Sequence, residues 1–162
     1  MLIITIKQGK EKSLLAGEPW IYASAIERVE GRNNEKMKAG CTAIVQSSSR
    51  TFLARAAYNS KSQIRARVWT FDEGQPVDHA LIKGRVQAAL AKSAPAAKKA
   101  RADQVVKLVN AEADGLPGLL VESFGGPDGW LICEFQAGGV DAWKVAIVQA
   151  LIAGTGCKNV YE

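Results

Sequence analysis

Short segments in which apolar and polar residues alternate fill the first half of the chain. The clearest lies at residues 63–69, where Ile64, Ala66 and Val68 alternate with polar or aromatic residues. Alternation with a period of two is typical of a strand that has one buried face. The same reasoning predicts strands at residues 2–7, 21–30, 42–46, 51–58 and 63–71, and one short helix at residues 12–16. Many short strands of this kind favour a small β-barrel.

The pattern changes after residue 71, where Asp, Glu, Gly and Pro break the alternation. We therefore expect one domain at residues 1–74 and a second at residues 75–162. In the second, Asp78 is suited to cap a helix that ends near residues 93–95. Strands are then predicted at residues 105–111, 119–124 and 130–136, a helix at 140–153, and a last strand from about Lys158. The predicted class is α+β. The last predicted strand reaches the end of the chain without a stop signal, so we expect the chain to be a fragment of a longer protein.

The excess positive charge of the chain lies in the first predicted domain. Residues 1–74 contain 12 Lys and Arg against 7 Asp and Glu, whereas the rest of the chain contains 9 of each. A basic domain beside a neutral one indicates a polyanion as the partner of the first. No segment is apolar over the length needed to cross a bilayer, and no signal peptide is recognisable, so we expect a cytoplasmic protein without a membrane partner.

Two arginines of the first domain are candidates for contact with RNA. Arg65 and Arg67 are two residues apart on one predicted strand, so they share a face at roughly 7 Å from each other. Their guanidinium groups can bind neighbouring phosphates or stack on bases, with Tyr58 and Trp69 nearby to provide apolar ring faces. The alternative is an ordinary solvated strand face, and the pattern alone leaves both open.

Few residues suit catalysis or metal binding. His79 is the only histidine, and its place beside Asp78 fits a helix start better than a catalytic triad. Three cysteines lack the CxxC spacing of a zinc site and are expected to be buried thiols: Cys41, Cys133 and Cys157. We therefore predict no metal site in this chain.

Four segments with characteristic order and spacing carry a family resemblance. They are residues 7–15 (KQGKEKSLL), 19–26 (PWIYASAI), 62–69 (SQIRARVW) and 112–119 (EADGLPGL). Over nearly its whole length the chain resembles the bacterial 23S rRNA large-subunit methyltransferase I family. The resemblance implies an N-terminal PUA domain and a central β-β-α-β-β domain. It also implies a Rossmann-like domain that methylates C5 of a cytidine in 23S rRNA using S-adenosylmethionine, and that domain, with its cofactor loop and catalytic cysteine, is expected beyond Glu162. The resemblance therefore implies no catalytic residue and no cofactor in this chain.

The resemblance also implies site residues. RNA contacts are expected at the loop and short helix of the PUA domain and on a later strand, at Lys7, Lys10, Lys12, Ser13, Arg65 and Arg67. In the second domain, Asn110, Glu112 and Asp114 surround a Gly- and Pro-containing turn. They either specify a rigid turn between strands or face the methyltransferase domain and orient it or the substrate loop.

Three functions stay open. The first is the RNA-recognition and central domains of an rRNA cytosine-C5 methyltransferase, in which this chain binds 23S rRNA and is not itself catalytic. The second is a free-standing PUA-type RNA-binding protein without enzymatic activity. The third, a small enzyme that acts alone, has the least support. The sequence also leaves a homodimer open.

Overall fold

The chain folds into two compact units, Met1–Val77 and Asp78–Glu162. The computed structural model describes all of residues 1–162. The division follows residue 77, where the sequence suggested residue 74. No helix combines the length and the apolar character that crossing a membrane would require.

The first unit consists of six strands and two short helices. In chain order they are β1 Leu2–Ile6, α1 Lys12–Leu15, β2 Trp20–Tyr22, β3 Ile26–Glu30, α2 Asn33–Met37, β4 Cys41–Gln46, β5 Phe52–Tyr58 and β6 Ile64–Thr70. The strands form one curled sheet in the order β2-β6-β5-β4-β1-β3. Strands β1 and β4 run parallel, and all other neighbours run antiparallel.

The core of this unit lies inside the curl of the sheet. The fully buried residues Leu2, Ile4 and Ile6 come from alternate positions of β1 and therefore share its inner face. Small residues on β5 and β6, such as Ala56 and Ala66, are buried in the same cluster. Alanines on one wall leave room for the larger side chains of the other, so the interior is filled without crowding.

Two elements of the first unit differ from the sequence prediction. Residues 21–30 are not one strand, because a 3-10 turn at Ala23–Ala25 separates β2 from β3. Strand β2 then pairs with β6, whereas β3 pairs with β1. Helix α2 was not predicted. Its Glu35 lies 3.0 Å from the Met1 amine, and the hydrogen bond from that amine holds the pKa of the Glu35 carboxyl below its usual value.

The second unit combines helices with a four-stranded sheet. Its elements are α3 His79–Lys99, β7 Val105–Asn110, β8 Leu119–Phe124, β9 Trp130–Phe135, α4 Gly138–Ala142, α5 Lys144–Thr155 and β10 Val160–Tyr161. The strand order is β10-β9-β8-β7, with β10 parallel to β9. The predicted cap of α3 is confirmed, because the Leu81 N–H donates to Asp78 Oδ1 at 2.9 Å.

The observed order of elements differs from β-β-α-β-β. Helix α3 comes first, three strands follow, and β10 alone comes after α5. Helix α3 also continues through Pro95 to Lys99. In the preceding turn the Ser93 hydroxyl donates to the carbonyl oxygens of Ala89 and Leu90, a bond that lets a helix bend around a proline. The helix expected at residues 140–153 is divided at Trp143 into α4 and α5.

One face of the second sheet is covered and the other is open. Along β8 and β9, Val121, Leu131 and Cys133 are buried, whereas Trp130 and Ile132 are exposed. Because alternate strand residues point to opposite faces, the buried set shares one face, on which the helices pack. Helix α3 contacts both β7 and α5 on this side.

Candidate nucleic-acid interface

Arg65 and Arg67 lie together on the outer face of β6. The residues that alternate with them, Ala66 and Val68, are buried in the core of the first unit. The Arg65 Nε donates to the Ser62 carbonyl oxygen at 2.9 Å, and the Arg67 guanidinium carbon lies 5.3 Å from the ring centroid of Trp20. Each guanidinium group is therefore held at a defined place along the strand.

Trp20 reaches Arg67 because β2 is paired with β6. The two residues are direct cross-strand partners, and such side chains are close enough to interact. A guanidinium group over an indole ring is attracted by the negative charge of the ring face. Tyr22 follows two residues later on β2 and is 44% exposed. Sequence reasoning assigned no RNA contact to either ring, although the buried Ile21 between them indicated a shared outer face.

The predicted lysines surround the entry to α1. Lys7, Lys10, Lys12 and Ser13 are all exposed, and the Lys10 N–H donates to the Lys7 carbonyl oxygen at 2.9 Å. A cavity of about 110 Å³ is lined by residues of the turn, α1 and β2, among them Lys10, Ser13, Glu18, Trp20 and Tyr22.

Trp20 thus connects the lysine turn to Arg67. We call the surface formed by Lys10, Ser13, Trp20, Tyr22 and Arg67 the α1–β2–β6 surface. It combines positive charge with two aromatic rings, which are the groups that bind phosphates and stack on bases.

Tyr58 does not belong to this surface. It is 6% exposed and lies in the core cluster, because it shares the inner face of β5 with Ala54 and Ala56. Trp69 is 3% exposed. Neither ring is available to a base, so the prediction that Tyr58 and Trp69 provide apolar faces for RNA is wrong.

Asp114 is engaged within its own unit. Its side chain is 9% exposed, it accepts a hydrogen bond from the Asn110 N–H, and its Oδ1 lies 3.5 Å from Lys92 Nζ. Arg85 donates to the next carbonyl oxygen, that of Gly115, at 2.7 Å, and burial lowers the pKa of this arginine. These bonds favour the rigid-turn interpretation for Asp114. Asn110 is exposed and Glu112 is half-buried, and their role towards another domain stays a prediction.

The cysteines and the histidine occupy separate places. Cys133 and Cys157 are buried, and Cys41 is half-buried. Burial raises the pKa of the Cys133 thiol to about 11, and the Cys157 Sγ donates to the Gly129 carbonyl oxygen at 3.3 Å. His79 is exposed, and its ring packs edge-to-face with the ring of Trp143 in the same unit. No three His, Cys, Asp or Glu side chains are grouped so that they could hold a metal ion.

Comparison with known proteins gives the family. Residues 4–71 match the PUA-like domain family. Ribosomal RNA large subunit methyltransferase I of Klebsiella pneumoniae is 36% identical over 148 residues, which are 91% of this chain and 35% of the relative. The protein of the same name from Pseudoalteromonas atlantica is 35% identical over 166 residues, 98% of this chain and 38% of the relative. Over most of its length, the chain is homologous to this methyltransferase family. The resemblance seen in the sequence is thus confirmed.

The chain spans little more than a third of the length of these curated relatives. Two solved structures share its fold. A candidate SAM-dependent methyltransferase from Streptococcus mutans has a TM-score of 0.74 at 13% identity and covers 95% of this chain, which in turn covers 38% of it. A candidate methyltransferase solved in complex with SAH also has a TM-score of 0.74, at 14% identity, with 95% of this chain and 37% of that one covered. At such low identity the likeness concerns the fold alone.

Proposed function

We propose that this chain is the RNA-recognition and central part of an S-adenosylmethionine-dependent 23S rRNA cytosine-C5 methyltransferase. In this proposal it binds rRNA in the cytoplasm and does not itself transfer a methyl group, and S-adenosylmethionine belongs to another part of the whole protein. The observation that carries the proposal is the 36% identity to ribosomal RNA large subunit methyltransferase I across 91% of the chain.

The chemistry of the α1–β2–β6 surface, together with the neighbouring Lys7, Lys12 and Arg65, supports RNA as the ligand. Lys7, Lys10 and Lys12 extend from one exposed turn and suit phosphate oxygens, which attract a flexible ammonium group as a point charge. Arg65 and Arg67 offer planar guanidinium groups, which bind a phosphate through two parallel hydrogen bonds or stack on a base. The exposed ring of Tyr22 adds a flat apolar surface beside them.

The environment of the buried cysteines supports the non-catalytic part of the proposal. A cysteine nucleophile reacts as the thiolate, and reactive cysteines have a lowered pKa in a partly exposed, electropositive site. Cys133 has the opposite environment, because burial raises its thiol pKa to about 11. Cys157 uses its thiol as a hydrogen-bond donor to a backbone carbonyl. Both residues therefore suit packing rather than attack on a pyrimidine.

An anisotropy titration with labelled fragments of 23S rRNA tests the binding. Five phosphate contacts, one for each of Lys7, Lys10, Lys12, Arg65 and Arg67, predict that log affinity falls with log salt at a slope of about −3.5 for unpaired RNA. A DNA duplex of equal length is the control for charge alone and is expected to bind more weakly at each salt concentration. Affinity that stays constant from low to high salt would contradict the proposed surface.

Calorimetry with S-adenosylmethionine tests the non-catalytic part separately. We expect no saturable heat, because the cofactor is assigned to another part of the whole protein. A saturable heat, or methyl transfer to rRNA by this chain alone, would overturn that assignment and leave the RNA-binding result untouched.

A further inference from the structure

Most of the exposed large apolar side chains of the second unit lie on the open face of its sheet. Six such residues are exposed between Asp78 and Glu162, and five of them lie on this face, with exposures between 41% and 65%. These five are Val105, Phe124, Trp130, Ile132 and Tyr161. The sixth, Val145, lies on α5. An apolar patch that is contiguous rather than scattered marks a binding surface.

Strand register places the five residues in two adjacent rows. Phe124 is the direct partner of both Val105 on β7 and Trp130 on β9, so these three form one row across the sheet. Ile132 and Tyr161 are direct partners in the next row. Cross-strand partners on one face lie about 5 Å apart, so three aromatic side chains and two aliphatic ones form a continuous platform.

Positive charge borders this platform on its β7 side. Lys107 lies two residues after Val105 and shares its face, and Lys99 lines a small cavity together with Val105. Glu122 is the cross-strand partner of both Lys107 and Ile132, so its carboxylate lies between that lysine and the second apolar row, and Glu134 lies further along the same face. The cations therefore follow the β7 edge, whereas the rings lie on β8, β9 and β10.

From this juxtaposition we propose that the open face of the second unit binds an unpaired segment of RNA. Bases stack on Phe124, Trp130 and Tyr161, and the phosphate chain follows Lys99 and Lys107. Every base has a flat face, so exposed rings on a sheet bind unpaired strands with little sequence preference. The inference rests on the proposed function only in taking RNA as the ligand, and it adds a contact surface outside the PUA-like domain.

Two substitutions at one position separate stacking from plain hydrophobic contact. Trp130→Leu keeps an apolar side chain but removes the flat ring, whereas Trp130→Phe keeps a ring. With an RNA strand of about 12 unpaired nucleotides, we expect Trp130→Leu to weaken binding by roughly 5- to 150-fold and Trp130→Phe to retain most of the affinity. The slope of log affinity against log salt is expected to stay the same, because no phosphate contact is removed.

Val145→Ala is the matched control, since Val145 is 70% exposed but lies off the face. It is expected to bind as the parent does, and thermal unfolding confirms that every variant is folded. If the parent binds no RNA, the proposed function itself fails. If the parent binds and Trp130→Leu binds equally well, only this inference fails. The parent could instead self-associate, and Trp130→Leu could abolish this self-association without changing RNA binding. That result would identify the face as a contact between copies of the chain and would overturn the inference.

Discussion

Replacing both Arg65 and Arg67 with alanine removes at least one contact of each guanidinium group within the first unit. The bond from Arg65 Nε to the Ser62 carbonyl oxygen, 2.9 Å long, is worth about 0.5 to 1.5 kcal/mol. The guanidinium of Arg67 lies 5.3 Å from the Trp20 ring centroid, a contact worth about 0.5 to 1 kcal/mol near the surface. Together these contacts predict a loss of about 1 to 2.5 kcal/mol in the free energy of unfolding. Alternation alone predicted a change within about 0.5 kcal/mol.

The same variant is expected to lose affinity for RNA by about 1 to 3 kcal/mol at low salt. Loss of two phosphate contacts also makes the slope of log affinity against log salt shallower by about 1.4 for unpaired RNA. Anisotropy titrations over a range of salt concentrations measure both quantities. Urea unfolding of the same preparation shows that the variant is folded, so a change in slope reports contact with RNA and not loss of structure.

Replacing both arginines with lysine provides the matched comparison. Lysine keeps the charge, so the salt slope is expected to equal that of the parent. It loses the planar fork and the ring contact, so affinity is expected to fall at every salt concentration. If the folded alanine variant keeps the parental slope, strand β6 does not contact phosphate. The reasoning would then apply to Lys7, Lys10 and Lys12 instead.

Local alternation was sufficient to predict the strands that have one buried face. Strands β5 and β6 were found within one residue of their observed ends. Polar and apolar positions alternate along β6, whereas β5 is apolar except for Arg55 and was recognised as a run between turn residues. The sharing of one face by Arg65 and Arg67 follows from the same period. The burial of Tyr58 could also have been predicted. Arg55 lies on the outer face of β5, and Tyr58, three positions later, must therefore lie on the inner face.

Features that depend on distant partners could not be predicted in this way. The turn at Ala23–Ala25 contains neither Gly nor Pro, so nothing local marks the point where the chain leaves β6 and joins β1. Helix α2 has no buried residue, so it lacks a hydrophobic pattern. The contact of Trp20 with Arg67 depends on the register between β2 and β6, which a single sequence does not reveal.

Three further changes test other parts of the structure. Tyr22→Ala is expected to weaken binding of unpaired RNA by about 1 kcal/mol in the same titration, with an unchanged salt slope and little change in the unfolding midpoint. Asp114→Ala leaves the Asn110 N–H without its side-chain acceptor and is expected to lower the free energy of unfolding by about 1 to 3 kcal/mol in urea; an unchanged midpoint would show that the turn does not need this bond. At pH 8 the half-buried Cys41 is expected to react with iodoacetamide before Cys133, whose thiol pKa is raised from 9.0 to about 11. Because the folded state favours the protonated Cys133 thiol, its contribution to stability is present below pH 9 and is lost as the pH rises towards 11. Cys133→Ala removes this contribution, so the parent is expected to lose more stability than the variant between these pH values. Equal losses in the two proteins, or alkylation of Cys133 as fast as that of Cys41, would show that the thiol is not sequestered.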